Sequence, residues 1–355
     1  MDIERVDPNF RLAQIGQREL AFLDATRVPQ GLSGFPFFGD EGVYCRLPQK
    51  RLAEMNAGVQ GLAWHTAGGM VRFCTDSPVV AVRVELRSAG DMSHMPRSGS
   101  SGIDLYAGSG RSRQFVRTAM PGSGQATYEA VLLEAAPEPR EITLNLPLYN
   151  GVNRLEIGLQ PGAALTAAPA FTVPKPVLFY GSSITQGGCA SRPGNAYTHI
   201  VARRLDAALI NYGFSGSARG EPAMADLIAG IDMSVFVLDY DHNAPTVEHL
   251  AQTHRPFYEA IRKRRPELPI VLVSRPDFDP RAVESRARRE IIRSTFNDAV
   301  ARGDRQVFMV DGEFLFGQSD RDACTVDGCH PNDLGFLRMA DAITPAVQTA
   351  LQLVR

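Results

Sequence analysis

The 355-residue chain has a single tryptophan, Trp64, and only five cysteines, Cys45, Cys74, Cys189, Cys324 and Cys329. The cysteines are odd in number and widely scattered, which excludes a paired disulfide framework and a CxxC metal site. A reduced, cytoplasmic protein is the expectation. Long apolar runs are absent as well: no stretch approaches the roughly 18 residues that a membrane-spanning helix needs. The opening segment, MDIERVDPNFRLAQIG, is charged and has no signal-peptide core, so export is expected only if a leader preceded it. An excess of either charge is missing too. Lys and Arg number 37 against 39 Asp and Glu, a formal net charge of -2, which leaves no broad basic surface for nucleic acid. The short basic runs Arg262 to Arg265 and Arg286 to Arg289 fall in amphipathic stretches and read as solvated helix faces.

Internal repeats are not seen, and the length favours two domains. Hydrophobic residues at 44% and charged residues at 21% are ordinary for a globular protein. The two halves differ in texture. From about residue 58 to 160, short alternating runs are bounded by Gly, Pro and Ser, among them Val79 to Leu86, Ala130 to Leu133, Ile142 to Leu146 and Arg154 to Leu159. That spacing predicts an antiparallel β-sandwich, with Ser88 to Ser101 as a loop. Residues 161–176, rich in Pro and Ala, read as a linker. Beyond it, short apolar strands alternate with helices. Strands are expected at Val177 to Tyr180, Leu209 to Tyr212, Val235 to Leu238, Ile270 to Ser274 and Val307 to Val310. Helices are expected at Ala196 to Ala208, Ala223 to Ala229, Val247 to Arg265, Val283 to Arg302 and Leu334 to Leu353. This pattern predicts an α/β domain, a flavodoxin-like parallel sheet with helices on both faces. The division expected is thus 1–160 for the sandwich with an N-terminal extension, 161–176 for the linker and 177–355 for the α/β domain.

In such a sheet ligands bind beyond the carboxyl ends of the strands, so the loops there are the ones to read. The first is Gly181-Ser182-Ser183-Ile184-Thr185-Gln186-Gly187, a serine at a strand-to-helix turn. It carries neither a P-loop nor a G-x-S-x-G elbow. The second, Asn211 to Gly216, has glycines that let a backbone N–H approach a ligand. The third holds Asp239, Asp241, His242 and Asn243, whose carboxylates and imidazole also suit zinc or manganese. The last, Asp327-Gly328-Cys329-His330-Pro331-Asn332, puts Asp three residues before His, so that the carboxylate can orient the imidazole. Asn332 or Asp333 would cap the closing helix.

Taken in order, the four loops resemble the blocks of the SGNH (GDSL-type) hydrolase family over about residues 176 to 354. Ser101-Gly102-Ile103-Asp104-Leu105-Tyr106 is similar to the Gly-x-Asp-Leu-Tyr signature of a sandwich domain that precedes the hydrolase in one branch. The run Ile184 to Arg192 is similar to the same branch. The resemblance implies Ser183 as nucleophile, His330 as general base and Asp327 as its orienter. It also implies an oxyanion hole made by the N–H groups of Ser183 and Gly216 and the Asn243 amide. Two positions depart from the pattern: Ser182 stands where Asp is usual, and Asp241-His242-Asn243-Ala244 stands where Gly-x-Asn-Asp is usual. His242 is therefore a competing oxyanion donor.

The expected function is a serine esterase for small acyl groups, acetyl first, on carbohydrate, forming an acyl-enzyme with no cofactor and no metal. Its partners would be a small-molecule or oligosaccharide ester; neither nucleic acid nor membrane is expected, and a homo-oligomer is left open. The alternatives are a lysophospholipase or thioesterase, a metal hydrolase using Asp239 to His242, and a non-catalytic binding protein on this scaffold. Cys189, Cys329, Asp104, Tyr106 and Trp64 are expected to pack rather than react.

Overall fold

The computed structural model describes residues 11–15 and 18–353. The expected N-terminal extension thus lies, over residues 1–10, outside the described residues, as do 354 and 355 at the other end. Two antiparallel sheets form first. One runs β1 (Arg11–Ile15), β2 (Arg18–Asp24), β10 (Val152–Leu159), β5 (Val79–Leu86) and β8 (Thr127–Glu134). The other runs β11 (Leu165–Ala167), β4 (Met70–Thr75), β9 (Arg140–Asn145), β6 (Ile103–Ala107) and β7 (Gln114–Ala119), with β3 (Leu32–Ser33) beside β4. Their inner faces share one apolar core that includes Phe73, Val82, Leu105, Leu144 and Ile157.

The sandwich begins earlier in the chain than the alternating texture suggested. Strand β2 pairs with β10 well before residue 58. Its run Leu20-Ala21-Phe22-Leu23 is buried throughout, with Leu23 in the main core and Leu20 and Phe22 in a second cluster. A strand covered on both faces shows no alternation to read. Within 161–176, Leu165–Ala167 pairs with β4, and the first parallel strand already starts at Val173.

The second half is a five-stranded parallel sheet, β12 (Val173–Gly181), β13 (Ala207–Gly213), β14 (Val235–Asp239), β15 (Ile270–Val273) and β16 (Val307–Val310). The order is β13–β12–β14–β15–β16, so the chain reverses direction across the sheet beside β12. That is the flavodoxin-like arrangement, whose ligand crevice opens at the carboxyl ends next to the first strand. Six helices accompany it: α1 (Ser183–Gln186), α2 (Tyr197–Leu205), α3 (Pro222–Ala229), α4 (Val247–Arg264), α5 (Ala282–Ala301) and α6 (Asp333–Gln352). Helices α2 and α6 pack on one face, with Val177, Phe179, Val237 and Val271, and α3 and α4 on the other, with Leu178, Tyr180, Phe236 and Leu272. Among the described residues no helix is long and apolar enough to cross a membrane.

Helix α2 stops short of the expected Ala208 because Asp206 adopts a left-handed backbone (φ 48°) and the next strand starts at Ala207. The Asp206 carboxylate is then used across the interface, pairing with Arg113 of the sandwich and accepting from Thr172 N–H at 2.9 Å. Other ties join the two halves. Arg46, fully buried, donates to the carbonyls of Asn211 (2.8 Å), Gly213 (2.7 Å) and Leu62 (2.7 Å) and lies over the Phe214 ring. Asp104 of the Ile103–Tyr106 run accepts from Asn145 Nδ2 at 2.7 Å and from the Gly194 N–H at 2.7 Å. Tyr106 meets Arg192 through its hydroxyl. These two residues hold the sandwich to the 192–194 turn, a wider role than packing inside the sandwich.

Candidate active site

The carboxyl ends of β12, β13 and β14 bring the first three loops together, and the turn before α6 brings the fourth. Ser183 opens α1, and Ser182 caps it by accepting the Ile184 N–H at 3.1 Å. The supporting role expected of Ser182 is therefore a concrete bond. As the first residue of a helix, Ser183 has an N–H without an intrahelical acceptor. Gln186, one turn on, accepts the Ser215 N–H at 3.0 Å and donates to Leu148 O at 2.9 Å and His65 Nδ1 at 3.0 Å. Burial first, then the charges of Arg46 and Arg87, push the His65 imidazole down to about 4, so it is a neutral acceptor. A Cβ at Gly213 would sit 2.1 Å from Gln186 N, so only glycine lets the second loop approach α1 this closely.

The fourth loop is a tight turn closed by Val326 N–H on His330 O at 2.9 Å and Asn332 N–H on Cys324 O at 2.9 Å. Asn332 caps α6 through Gly335 N–H, while Asp333 binds the Ser191 N–H at 2.9 Å. Inside the turn, His330 Nδ1 lies 2.8 Å from Asp327 Oδ2, and Asp327 Oδ1 accepts the N–H groups of His330 (2.7 Å) and Cys329 (3.0 Å). Partial burial raises the Asp327 carboxyl pKa, but those donors outweigh it and hold the group down at about 2. His330 Nε2 in turn lies 3.0 Å from Ser183 Oγ, and Ser183 is 8% exposed. Serine, imidazole and carboxylate thus form one line of contacts in which a proton can pass from Oγ to Nε2 while the carboxylate stabilises the resulting imidazolium.

Of the three residues expected around an oxyanion, Asn243 donates one amide N–H to Phe214 O at 2.8 Å, which ties the third loop to the second. Gly216, two residues on, is left-handed (φ 67°), and a Cβ there would meet nothing within 4 Å, so it borders open space. His242 points elsewhere. Its Nε2 lies 3.0 Å from Asp277 Oδ1, a charge contact off the hydrogen-bond angle, and its Nδ1 lies 4.0 Å from Cys329 Sγ. Burial pulls the His242 pKa down, but Asp277, with Cys329 beside it, overrides this and holds it up at about 10.

The carboxylates weighed for a metal are spoken for separately. Asp239 accepts from Tyr197 OH at 2.7 Å and Thr185 Oγ1 at 3.1 Å, with its carboxyl raised to about 7 chiefly by burial. Asp241 accepts the Arg275 N–H at 3.1 Å. Cys189 is buried, and burial first, then the charges of Asp327 and Cys329, raise its thiol to about 11, the opposite of a nucleophilic thiolate. Trp64 is half-buried under Arg87, whose guanidinium lies 4.1 Å from the ring.

Three neighbours of the site come from the sandwich and were not singled out in the sequence. His65 binds Gln186. Tyr149 OH donates to Ser183 O at 3.1 Å. The His94 ring sits 5.8 Å from the His330 ring. Only the Gly-, Ser-, Met- and His-rich texture of the Ser88 to Ser101 loop hinted at any of them. A cavity of about 900 Å³ is lined by Phe35, Arg51, Ile210 and Arg264 at the amino ends of the strands, away from this chemistry. A 540 Å³ cavity adjoins Asp327.

Residues 174–348 match the model of the GDSL-like lipase/acylhydrolase family, and residues 20–165 match the model of the GxDLY N-terminus of SGNH-type esterases. The chain is a member of the SGNH (GDSL-type) hydrolase family. It is thereby a hydrolase of ester bonds, in the branch with the GxDLY sandwich. A solved structure described as a GDSL-like lipase from Bacteroides ovatus is 29% identical, with 94% of this chain and 98% of that one covered and a TM-score of 0.84. The salicylyl-acyltransferase SsfX3 of a tetracycline biosynthetic pathway is 21% identical, covering 96% and 97%, with a TM-score of 0.72. The acetyl xylan esterase Est2A from Butyrivibrio proteoclasticus is 12% identical, covering 95% and 100%, with a TM-score of 0.59. The last two are likenesses of fold. No curated protein matches the sequence significantly.

Proposed function

We propose that this SGNH hydrolase is a serine esterase that removes short acyl groups, acetyl above all, from carbohydrate esters. The observation that carries the reading is the line Ser183 Oγ–His330 Nε2 at 3.0 Å and His330 Nδ1–Asp327 Oδ2 at 2.8 Å. With Nδ1–H directed at Asp327, the Nε2 lone pair faces the serine. Ser183 Oγ attacks the ester carbonyl carbon as its proton moves to Nε2. The oxyanion receives the N–H groups of Ser183 and Gly216 and the free N–H of the Asn243 amide. Collapse expels the alcohol, which takes the proton from the imidazolium and leaves an acyl-enzyme. Water, deprotonated by the same imidazole, then releases the acid and restores Ser183.

Two features support the substrate class. The cavity beside Asp327 combines Phe278 and Phe316 with Asp279, Arg321 and Asp322, a mix of apolar faces and hydrogen-bonding groups that suits a hydroxylated alcohol. The acetyl xylan esterase shares the fold over both halves. All five cysteines are free, which supports a reducing compartment. The test is turnover of p-nitrophenyl acetate, butyrate and octanoate, with and without a serine-directed phosphonate or a chelator. Phosphonate should abolish turnover, and acetate should be the best chain length. Loss of turnover to the chelator alone would point to metal hydrolysis instead. A preference for octanoate would move the reading to a lysophospholipase or thioesterase. Acetate release from an acetylated xylo-oligosaccharide tests the sugar.

A further inference from the structure

Besides Ser183 and Asp327, His330 has two neighbours that the proposed reaction leaves idle. The ligand atoms of His94, Cys189 and His330 all lie within 4.8 Å of one another. His94 comes from the loop between β5 and β6 in the sandwich, Cys189 from the segment after α1 and His330 from the turn before α6. Cys189 holds a left-handed backbone (φ 75°), which a non-glycine residue adopts only at a cost. Two imidazoles and a thiol are the donors that zinc prefers, whereas magnesium and calcium take oxygen. Zinc–sulfur and zinc–nitrogen bonds of about 2.3 and 2.0–2.1 Å put tetrahedral ligand atoms roughly 3.3–3.6 Å apart. From separations of up to 4.8 Å the three groups would need to close by up to about 1.5 Å, within reach of side-chain rotation.

His330 is further prepared for a metal by the contact that prepares it as a base. Its Nδ1 is held by Asp327 at 2.8 Å, the carboxylate–histidine arrangement that orients zinc-bound imidazoles, so Nε2, 3.0 Å from Ser183 Oγ, is the nitrogen that would coordinate. A second cluster, His242, Asp277 and Cys329, is less suited. There Asp277 is already held by Arg275 at 2.7 and 3.0 Å, and a cationic His242 would repel a metal ion.

We propose that His94, Cys189 and His330 form a site for zinc, or another thiophilic divalent cation, that switches the enzyme off reversibly. Binding deprotonates the Cys189 thiol, forms one metal–sulfur and two metal–nitrogen bonds, and releases one proton to solvent. The metal takes the Nε2 lone pair that would receive the Ser183 proton, so bound enzyme cannot attack. That consequence rests on the esterase reading; the binding does not.

The test uses the full chain, reduced and freed of metal by a chelator. Cobalt(II) added to wild type and to Ser183→Ala should give a strong near-ultraviolet thiolate-to-cobalt band, lost in Cys189→Ala. Micromolar zinc should inhibit p-nitrophenyl acetate hydrolysis, a chelator should restore it, and magnesium should do nothing. Cys189→Ala and His94→Ala should keep their metal-free turnover yet need about 10–100-fold more zinc for inhibition. The inference is overturned if wild type shows no thiolate–cobalt band, or if either variant is inhibited at the wild-type zinc concentration. An inactive wild type that still shows the band would sink the esterase reading and leave the metal site standing.

Discussion

Replacing Asn243 with alanine separates the two tasks its amide can perform. A primary amide has two N–H donors. Phe214 O takes one at 2.8 Å, and the other is free for the oxyanion. Loss of the first bond should cost about 0.5–1.5 kcal/mol of stability, seen as an earlier urea midpoint. Loss of the second should lower kcat by roughly 10²–10³, or about 2.7–4 kcal/mol of transition-state stabilisation. KM should change little, because the bond matters most once the carbonyl oxygen carries charge. Asn243→Asp keeps the shape, offers no donor and sets a carboxylate against Phe214 O, so it should be at least as slow. The assay is steady-state hydrolysis of p-nitrophenyl acetate beside urea melts, with His242→Ala in parallel. His242 is engaged by Asp277 at 3.0 Å, so its loss should appear in the melt more than in kcat. If His242→Ala lost the large factor in kcat and Asn243→Ala were mild, the oxyanion donor would be one residue earlier and this reasoning would fail.

Four further outcomes are expected. Ser183→Ala should be folded and inactive, whereas Ser182→Ala should lose only a helix cap, about 0.5–2 kcal/mol, and keep most turnover; near-wild-type activity in the first variant removes the nucleophile. Arg46→Met strands the carbonyls of Asn211, Gly213 and Leu62 in the interior and should cost about 3 kcal/mol or more in a denaturant titration; an unchanged midpoint would mean those carbonyls find other donors. Asp104→Ala removes the acceptor for Asn145 and Gly194 and should lower Tm by several degrees, since about 3 kcal/mol is at stake; an unmoved Tm would deny it an interface role. The His242 pKa, held up at about 10, is above its unfolded value near 6.5, so its contribution is full below about pH 6.5 and fades as pH rises through 10. The stability gap between wild type and His242→Gln should therefore be widest near pH 6 and narrow toward pH 10; a gap that widens with pH would contradict the charged assignment.

Much of the α/β half was legible because its signals are local. Strand β14 is buried from Val235 to Asp239, and its Val235 to Leu238 reads as an unbroken apolar run, the mark of a strand covered on both faces. Helices α4 and α6 begin at Thr246 and Asn332, whose side chains accept the N–H groups of His249 and Gly335. The expected starts, Val247 and Leu334, fall within one residue of the observed Val247 and Asp333. Helix α2 was overdrawn because Asp206 takes its left-handed turn where its carboxylate meets Arg113 of the sandwich and Thr172 just before β12, partners distant in sequence. Strand β2 was missed because burial on both faces erased its alternation.

The site divides along the same line. Ser183, Asp327 and His330 stood out in the sequence because each lies between a strand and a helix of the parallel sheet, where residue type and spacing point to chemistry. What surrounds them could not, because it arrives from the sandwich. His65 steadies Gln186, Tyr149 binds the carbonyl of Ser183, and His94 stands 5.8 Å from the His330 ring. None of these has a neighbour in sequence that marks it, since contacts across some 34 to 236 positions leave no periodicity to read. The Ile103–Tyr106 run is the partial exception. Its signature is visible in sequence, yet the reason for it is not, because Asp104 and Tyr106 spend their polar atoms on Gly194 and Arg192 beyond the linker. A sandwich that merely preceded the hydrolase would need none of these bonds. Together they argue that it forms one wall of the candidate site, so removing it should disturb Ser183 itself.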